Sequence, residues 1–178
     1  GDKISVDGVG NGIAPDLLAV AKGLSGGLIP FGVTLASKRI HDGFRGDTRR
    51  AFLHGHTFCG NPLGAAVALE VLRIYRDESV VTNAAPKAAR MAAAFAAMGE
   101  LPGTRHARSL GMVGAIDVGE GGYHGRTGWE VQEAARERGI WLRPLGNVIY
   151  AVPPLNIADD DLEALLGGMH EALETVLR

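Results

Sequence analysis

Between Leu17 and Ala21 every position is apolar, a run that predicts a strand buried on both faces. Shorter apolar or alternating runs place further strands at 31–36, 111–118, 140–143 and 147–152. Helical spacing replaces this pattern in four segments. Leu63, Val67, Val71 and Ile74 form a stripe over 62–77, opened by Asn61 as cap and Pro62 at the first helical position. Asn83 caps an alanine-rich helix with Met91, Phe95 and Met98 on one face, and Gly99 stops it. Thr127 and Glu130 have the spacing of a capping box, and Gly139 closes the helix they open. From about Asp159, the residues Leu162, Leu165, Met169, Leu173 and Val176 recur at helical spacing. The acids Asp159, Asp160 and Asp161 suit a helix N-terminus, which favours negative charge, better than a metal site.

After residue 100 the order is strand, helix, strand, strand, helix, a small α+β layer. The polar stretch RDESVVTN (76–83) marks a boundary. Residues 1–78 then read as part of a larger α/β domain and 79–178 as a smaller terminal domain. A chain of 178 residues has room for both, and at this size roughly 70% of the unfolded chain's surface can be buried. The formal charge of −2, with acids and bases interspersed, gives no sign of a nucleic-acid or polyanion partner. No apolar run approaches the ~20 residues that span a membrane, and the first residues carry no signal-peptide pattern. The single cysteine, Cys59, excludes an internal disulfide and suits a reducing compartment, so the expected location is the cytoplasm.

Three stretches carry candidate chemistry. In PDLLAVAKGLSGGLIPFG, Lys22 ends a strand and Gly23, Gly26 and Gly27 crowd behind it. Ligands of open α/β sheets collect at such strand ends, and burial would lower an amine's pKa toward the form that makes Schiff bases. The alternative is a surface lysine that reaches outward from the strand. In HGHTFCGNP, His54 and His56 lack a clear third metal ligand, and no base can be assigned to activate Cys59. The loop reads instead as a Thr57 hydroxyl and nearby N–H groups offered to an anion such as phosphate, or as a polar lead into a helix. In WLRPLGNVIYAVPP, Arg143 sits between apolar residues and wants a carboxylate, either the protein's own or a ligand's. Tyr150 in the same stretch alternates with core positions. The glycines GVGNG at 8–12 do not follow a dinucleotide pattern.

Together these segments resemble the class III pyridoxal-phosphate aminotransferases over nearly the whole chain after about residue 13. PDLLAVAKGLSGGLIPFG is similar to that family's lysine segment, and HGHTFCGNPLGAAVALEVL to its second hallmark. LGMVGAIDV, followed by GIWLRPLGNVIYAVPPLNI, is similar to the adenosylmethionine–8-amino-7-oxononanoate aminotransferases of the biotin pathway. The resemblance implies the carboxyl-terminal part of a fold type I transferase with pyridoxal 5'-phosphate as cofactor. It implies that Lys22 forms the Schiff base and then carries the proton that is exchanged. It further implies that Thr57, with the His56 backbone, holds the cofactor phosphate of the neighbouring subunit in a homodimer. Gly55 would border the substrate, and Arg143 would clamp its carboxylate as a bidentate fork. The substrates implied are small molecules: S-adenosylmethionine as donor and 8-amino-7-oxononanoate as acceptor.

The family's pyridine-nitrogen carboxylate, Gly-Ser phosphate loop and ring-stacking aromatic lie upstream of its lysine segment. Asp2 and Asp7 match no such motif. This chain alone is therefore expected to be inactive, with 79–178 ordered and 1–78 in need of missing partners.

Overall fold

The computed structural model describes residues 15–178, which divide into two compact units at Asp77 and Glu78. The glycine-rich lead-in, with Asp2 and Asp7, lies outside the described residues.

In the first unit, strand β1 (Leu17–Val20) runs into a single helical turn, α1 (Lys22–Ser25), and then into strand β2 (Val33–Ala36). A short helix α2 (Lys38–Gly43), a 3₁₀ turn (Thr48–Arg50) and the long helix α3 (Pro62–Asp77) follow. β1 and β2 pair antiparallel, from Leu17 opposite Ala36 to Val20 opposite Val33. The expectation of a strand buried on both faces is corrected here. Burial alternates along β1, and Leu17 keeps 58% of its surface exposed. Its residues alternate between exposed and half-buried, so neither sheet face is fully covered, and one partner strand pairs with it among the described residues. Asp16, just ahead of β1, fixes the register. Its carbonyl accepts from the Ser37 N–H at 2.8 Å, and its carboxylate accepts from the Ser37 hydroxyl at 2.9 Å and from Arg39 at 2.5 Å. These donors hold the carboxyl below its ordinary pKa, with the Ser37 hydrogen bond the larger cause.

Helix α3 starts as its cap predicts: the Asn61 side chain accepts from the Leu63 N–H at 3.1 Å. Its buried face differs from the expected stripe. Gly64 and Ala68 are buried, Val67, Val71 and Ile74 are half-buried, and Leu63 is exposed. α1 packs on this face.

The second unit is built from α4 (Val80–Met98), β3 (Thr104–Leu110), β4 (Val113–Val118), α5 (Thr127–Arg136), β5 (Val148–Ala151) and α6 (Asp159–Leu177). Its strands form one antiparallel sheet in the order β3-β4-β5. The core follows from periodicity. Ile116 and Val118 alternate inward from β4, and Met91, Phe95 and Met98 meet Leu162, Met169 and Leu173 of α6. The Phe95 ring lies against the backbone of Gly114, where a Cβ would stand 2.2 Å from it.

Several boundaries depart from the sequence reading. Asn83 lies inside α4, which begins after Ser79 at φ 50; the Asn83 amide reaches back to the Glu78 carbonyl. The capping box at Thr127 does not form, since the Thr127 side chain packs against Gly119 and the cap position is Arg126. Gly139 does close α5, with the Ile140 N–H bonded to the Ala135 carbonyl at 3.0 Å. Residues 140–143 are extended without a ladder, and the one bridge nearby joins Leu145 to Val148. β3 carries no apolar alternation. It is a polar edge strand with an irregularity between Arg105 and Arg108, where His106 has φ 50.

Candidate active site

Lys22 stands just beyond the carboxyl end of β1, as its place after an apolar run predicts. The backbone turns at once: the Leu24 N–H returns to the Ala21 carbonyl at 2.8 Å, and the Gly27 N–H to the Lys22 carbonyl at 3.2 Å. Gly26 closes the turn at φ 59, a conformation that side chains with a Cβ rarely adopt. A Cβ added at Gly23 or Gly27 would meet nothing within 4 Å, so the space around the turn is open. Lys22 is exposed, and its ammonium makes no ion pair among the described residues. The burial expected from a two-sided strand is absent, because β1 itself is half-covered.

The second hallmark forms an extended loop that is exposed from residue 51 to residue 60. It ends in a tight turn, where the Cys59 N–H donates to the His56 carbonyl at 2.9 Å and the His56 N–H to Cys59 Sγ at 3.4 Å. The Phe58 N–H donates to His56 Nδ1 at 3.3 Å, which ties that ring nitrogen into the turn. The His56 N–H is engaged by sulfur, and the Thr57 hydroxyl at the tip makes no hydrogen bond among the described residues. Gly55 faces Cys59 Sγ at 4.0 Å from where a Cβ would stand. No cluster of three potential metal-ligating side chains occurs among the described residues.

Lysine turn and threonine loop share the first unit through α3. Phe31, at the end of the lysine segment, packs onto Gly64, and Gly26 approaches Val71. Asn61 leads directly from the threonine turn into that helix. Phe31 carries one local sign of this role, an aromatic ring directly before Gly32 in the lysine segment.

Arg143 belongs to the second unit. It is exposed between buried Leu142 and buried Pro144, and it makes no ion pair or side-chain hydrogen bond among the described residues. With Trp141, Tyr150, Pro153, Pro154 and Ile157 it lines a recess of about 510 Å³. The hairpin carrying it turns at Gly146, at φ 62, where a Cβ would stand 2.4 Å from the Tyr123 backbone. A Cβ at Gly128 of α5 would stand 2.0 Å from the Gly146 carbonyl oxygen, and Gln132 donates to the Leu142 carbonyl at 2.7 Å. Gln132 gave no sequence signal, because a lone glutamine on a helix is ordinarily a solvent-facing residue. A larger recess, about 680 Å³ between α4 and α6, is lined mainly by Ala93, Ala94, Ala97, Met98 and Leu166 and holds none of the predicted site residues.

An ionic cluster on the sheet also escaped the sequence reading. Asp117 of β4 accepts from Arg108 at 3.0 Å and lies 3.0 Å from His106 Nδ1. Its carboxyl is held below the ordinary carboxylate range, first by His106 and then by Arg108.

The family model for class III aminotransferases matches residues 6–173. The adenosylmethionine-8-amino-7-oxononanoate aminotransferase of Geobacter sulfurreducens is 35% identical over 174 residues, covering 93% of this chain and 38% of that protein. The crystal structure of the enzyme of that name from Methanocaldococcus jannaschii superposes with a TM-score of 0.83 at 33% identity, over 90% of this chain and 39% of that one. An (S)-enantioselective omega-transaminase from Thermomicrobium roseum gives a TM-score of 0.84 at 30% identity, over 94% of this chain and 39% of that one. The chain thus spans about two fifths of the length of these relatives. No described helix is long and apolar enough to cross a membrane.

Proposed function

We propose that this chain, which belongs to the class III aminotransferases, carries the lysine and the carboxylate clamp of an enzyme that moves an amino group from S-adenosylmethionine to 8-amino-7-oxononanoate. The product is 7,8-diaminononanoate, in biotin synthesis. The observation that carries this reading is the Lys22 turn, an amine at a strand end with open space at Gly23 within its helical turn and at Gly27 just after it.

The family's cofactor is pyridoxal 5'-phosphate, and the residues present fit it: an amine without an ion-pair partner and a threonine hydroxyl free at a loop tip. When bound, the cofactor supplies an electron sink for the carbon that bears the amino group. Lys22 would hold the cofactor through its side-chain amine and, being tethered to the turn, would keep a base within reach of the proton to be moved. Thr57 would hold the phosphate of the cofactor in a neighbouring subunit of a homodimer through its hydroxyl, and the His56 N–H, which donates to Cys59 Sγ here, would join it on leaving the sulfur. Gly55 leaves room beside the substrate, and Arg143 pairs with the substrate carboxylate. An uncharged amine is needed for the first step, and Lys22 is exposed in this chain.

A second reading, an ω-amino-acid or diamine aminotransferase of the same class, is favoured by the superposition on the Thermomicrobium roseum omega-transaminase. A chain that only dimerises, without cofactor, is the non-catalytic reading. Amino-donor exchange in a version spanning the relatives' full length separates the first two: loss of the bound-aldehyde absorbance on adding S-adenosylmethionine, but not ornithine or an ω-amino acid, supports the leading one. Loss with the other donors alone would overturn it.

A further inference from the structure

Lys87 differs from an ordinary surface lysine. It is half-buried on α4 and makes no ion pair among the described residues. Its Nζ donates instead to the backbone carbonyl of Ile157, at 2.5 Å. One turn later Arg90 donates to Asp159 twice, to Oδ1 at 2.9 Å and to the carbonyl at 3.1 Å. The two cations clasp the segment that enters α6, whose cap residue, Ala158, has no side chain with which to cap it.

That segment is also a wall of the Arg143 recess. Pro153, Pro154 and Ile157 line it together with Trp141, Arg143, Tyr150 and the carboxylate-bearing Asp161. Two of the three wall residues are prolines, which have no N–H to tether the backbone to its neighbours. Among the described residues its internal tie is a single turn bond, from the Ile157 N–H to the Pro154 carbonyl at 3.0 Å. The outward-acting ties come from α4, and the one on Ile157 itself is Lys87. Partly burying an ammonium against a neutral carbonyl, with no carboxylate to offset the desolvation, is a poor way to gain stability. It is an effective way to hold a backbone in one place, because the donor is charged and the acceptor has a fixed direction.

We propose that Lys87 is a positioning residue for the Arg143 recess: it fixes the Pro153–Ile157 wall against which the chain of a carboxylate substrate lies, and so sets affinity without touching that substrate. This rests on the reading of Arg143 as the carboxylate clamp. Without the Lys87 donor, water takes the Ile157 carbonyl and the wall shifts outward. The substrate then keeps its ion pair and loses apolar contact along its methylenes.

The test uses heptanedioate, an aliphatic dicarboxylate, as the probe on the full chain. Trp141 fluorescence reports its binding, in a Trp129→Phe background that removes the other tryptophan. Lys87→Met is expected to weaken binding about fivefold or more, while Lys87→Arg, which restores a charged donor, stays within about twofold. Melting temperatures of the two variants should match the parent. Lys87→Gln, with a shorter neutral donor, replaces Lys87→Met should the latter not fold, and should fall between the other two. Arg143→Gln tests the underlying reading and should weaken binding more than any Lys87 variant. Weakening by Arg143→Gln with none by Lys87→Met, or equal loss in Lys87→Met and Lys87→Arg, would overturn the positioning role alone. Binding indifferent to Arg143→Gln, or no saturable binding to the parent, would overturn the clamp and this inference with it.

Discussion

Phe31 packs so closely on Gly64 that a Cβ at residue 64 would stand 2.3 Å from its ring. This contact joins the end of the lysine segment to the helix that follows the threonine loop, so the two hallmark motifs are parts of one packed piece. Gly64→Ala is expected to force the ring away and destabilise the first unit by about 1–3 kcal/mol. Urea unfolding followed by a first-unit probe measures it, and an unchanged midpoint would show that the ring moves freely.

The two units differ in how much they bury. Of the buried apolar residues in the described chain, Ala68 is the one in the first unit; Met91, Phe95, Ile116, Ile149, Met169 and the rest belong to the second. Leu53 is 91% exposed and Phe52 68%. Hydrogen exchange should therefore show strong protection in α4, β4 and α6 and weak protection from Lys22 to Leu72. Uniform strong protection across both would contradict this. Phe95→Ala, which empties a fully buried site, should cost about 3–5 kcal/mol in the second unit.

Asp117 makes the second unit acid-sensitive. Its folded pKa lies below the unfolded value, so its contribution is fully present above the unfolded pKa, near 4, and is lost as pH falls through the folded one. The carboxylate is partly solvated, so the size is modest, about 1 kcal/mol or less. Urea midpoints of the parent should drop between pH 6 and pH 3 by more than those of Asp117→Asn. Equal drops would assign the acid sensitivity elsewhere. Asp16, also depressed, has the same sign in the first unit, through Ser37 and Arg39.

Gly146 holds the hairpin that presents Arg143. Alanine there would carry a Cβ into the Tyr123 backbone at a positive φ. Gly146→Ala is expected to destabilise the second unit by about 2 kcal/mol or more and to weaken carboxylate binding at Arg143. A variant with the parent's stability would show that the turn relaxes at little cost.

Much of this arrangement is legible along the chain. Asn61 and Pro62 start α3, Gly139 ends α5, and the spacing of Met91, Phe95 and Met98 identifies a core face, because each rests on local chemistry or period. What was misjudged depends on partners distant in sequence. The run Leu17 to Ala21 predicts two-sided burial only if layers pack on both faces of its sheet, and Leu17 keeps 58% of its surface exposed. Thr127 turns to Gly119 in place of its own helix, and β3 is held by Arg105, Arg108 and His106 bonds that no alternation announces. Lys22, Thr57 and Arg143 were visible as residue types in telling surroundings. Gln132 and Lys87 act on carbonyls ten and seventy positions away, which a linear pattern does not show.

The most direct test of the central claim is borohydride reduction of the chain with limiting pyridoxal phosphate, followed by peptide mapping. Selective reaction at Lys22, with the near-visible band lost in Lys22→Ala, is the predicted result. Label spread evenly over Lys22, Lys38 and Lys87, with the same band in Lys22→Ala, would contradict it.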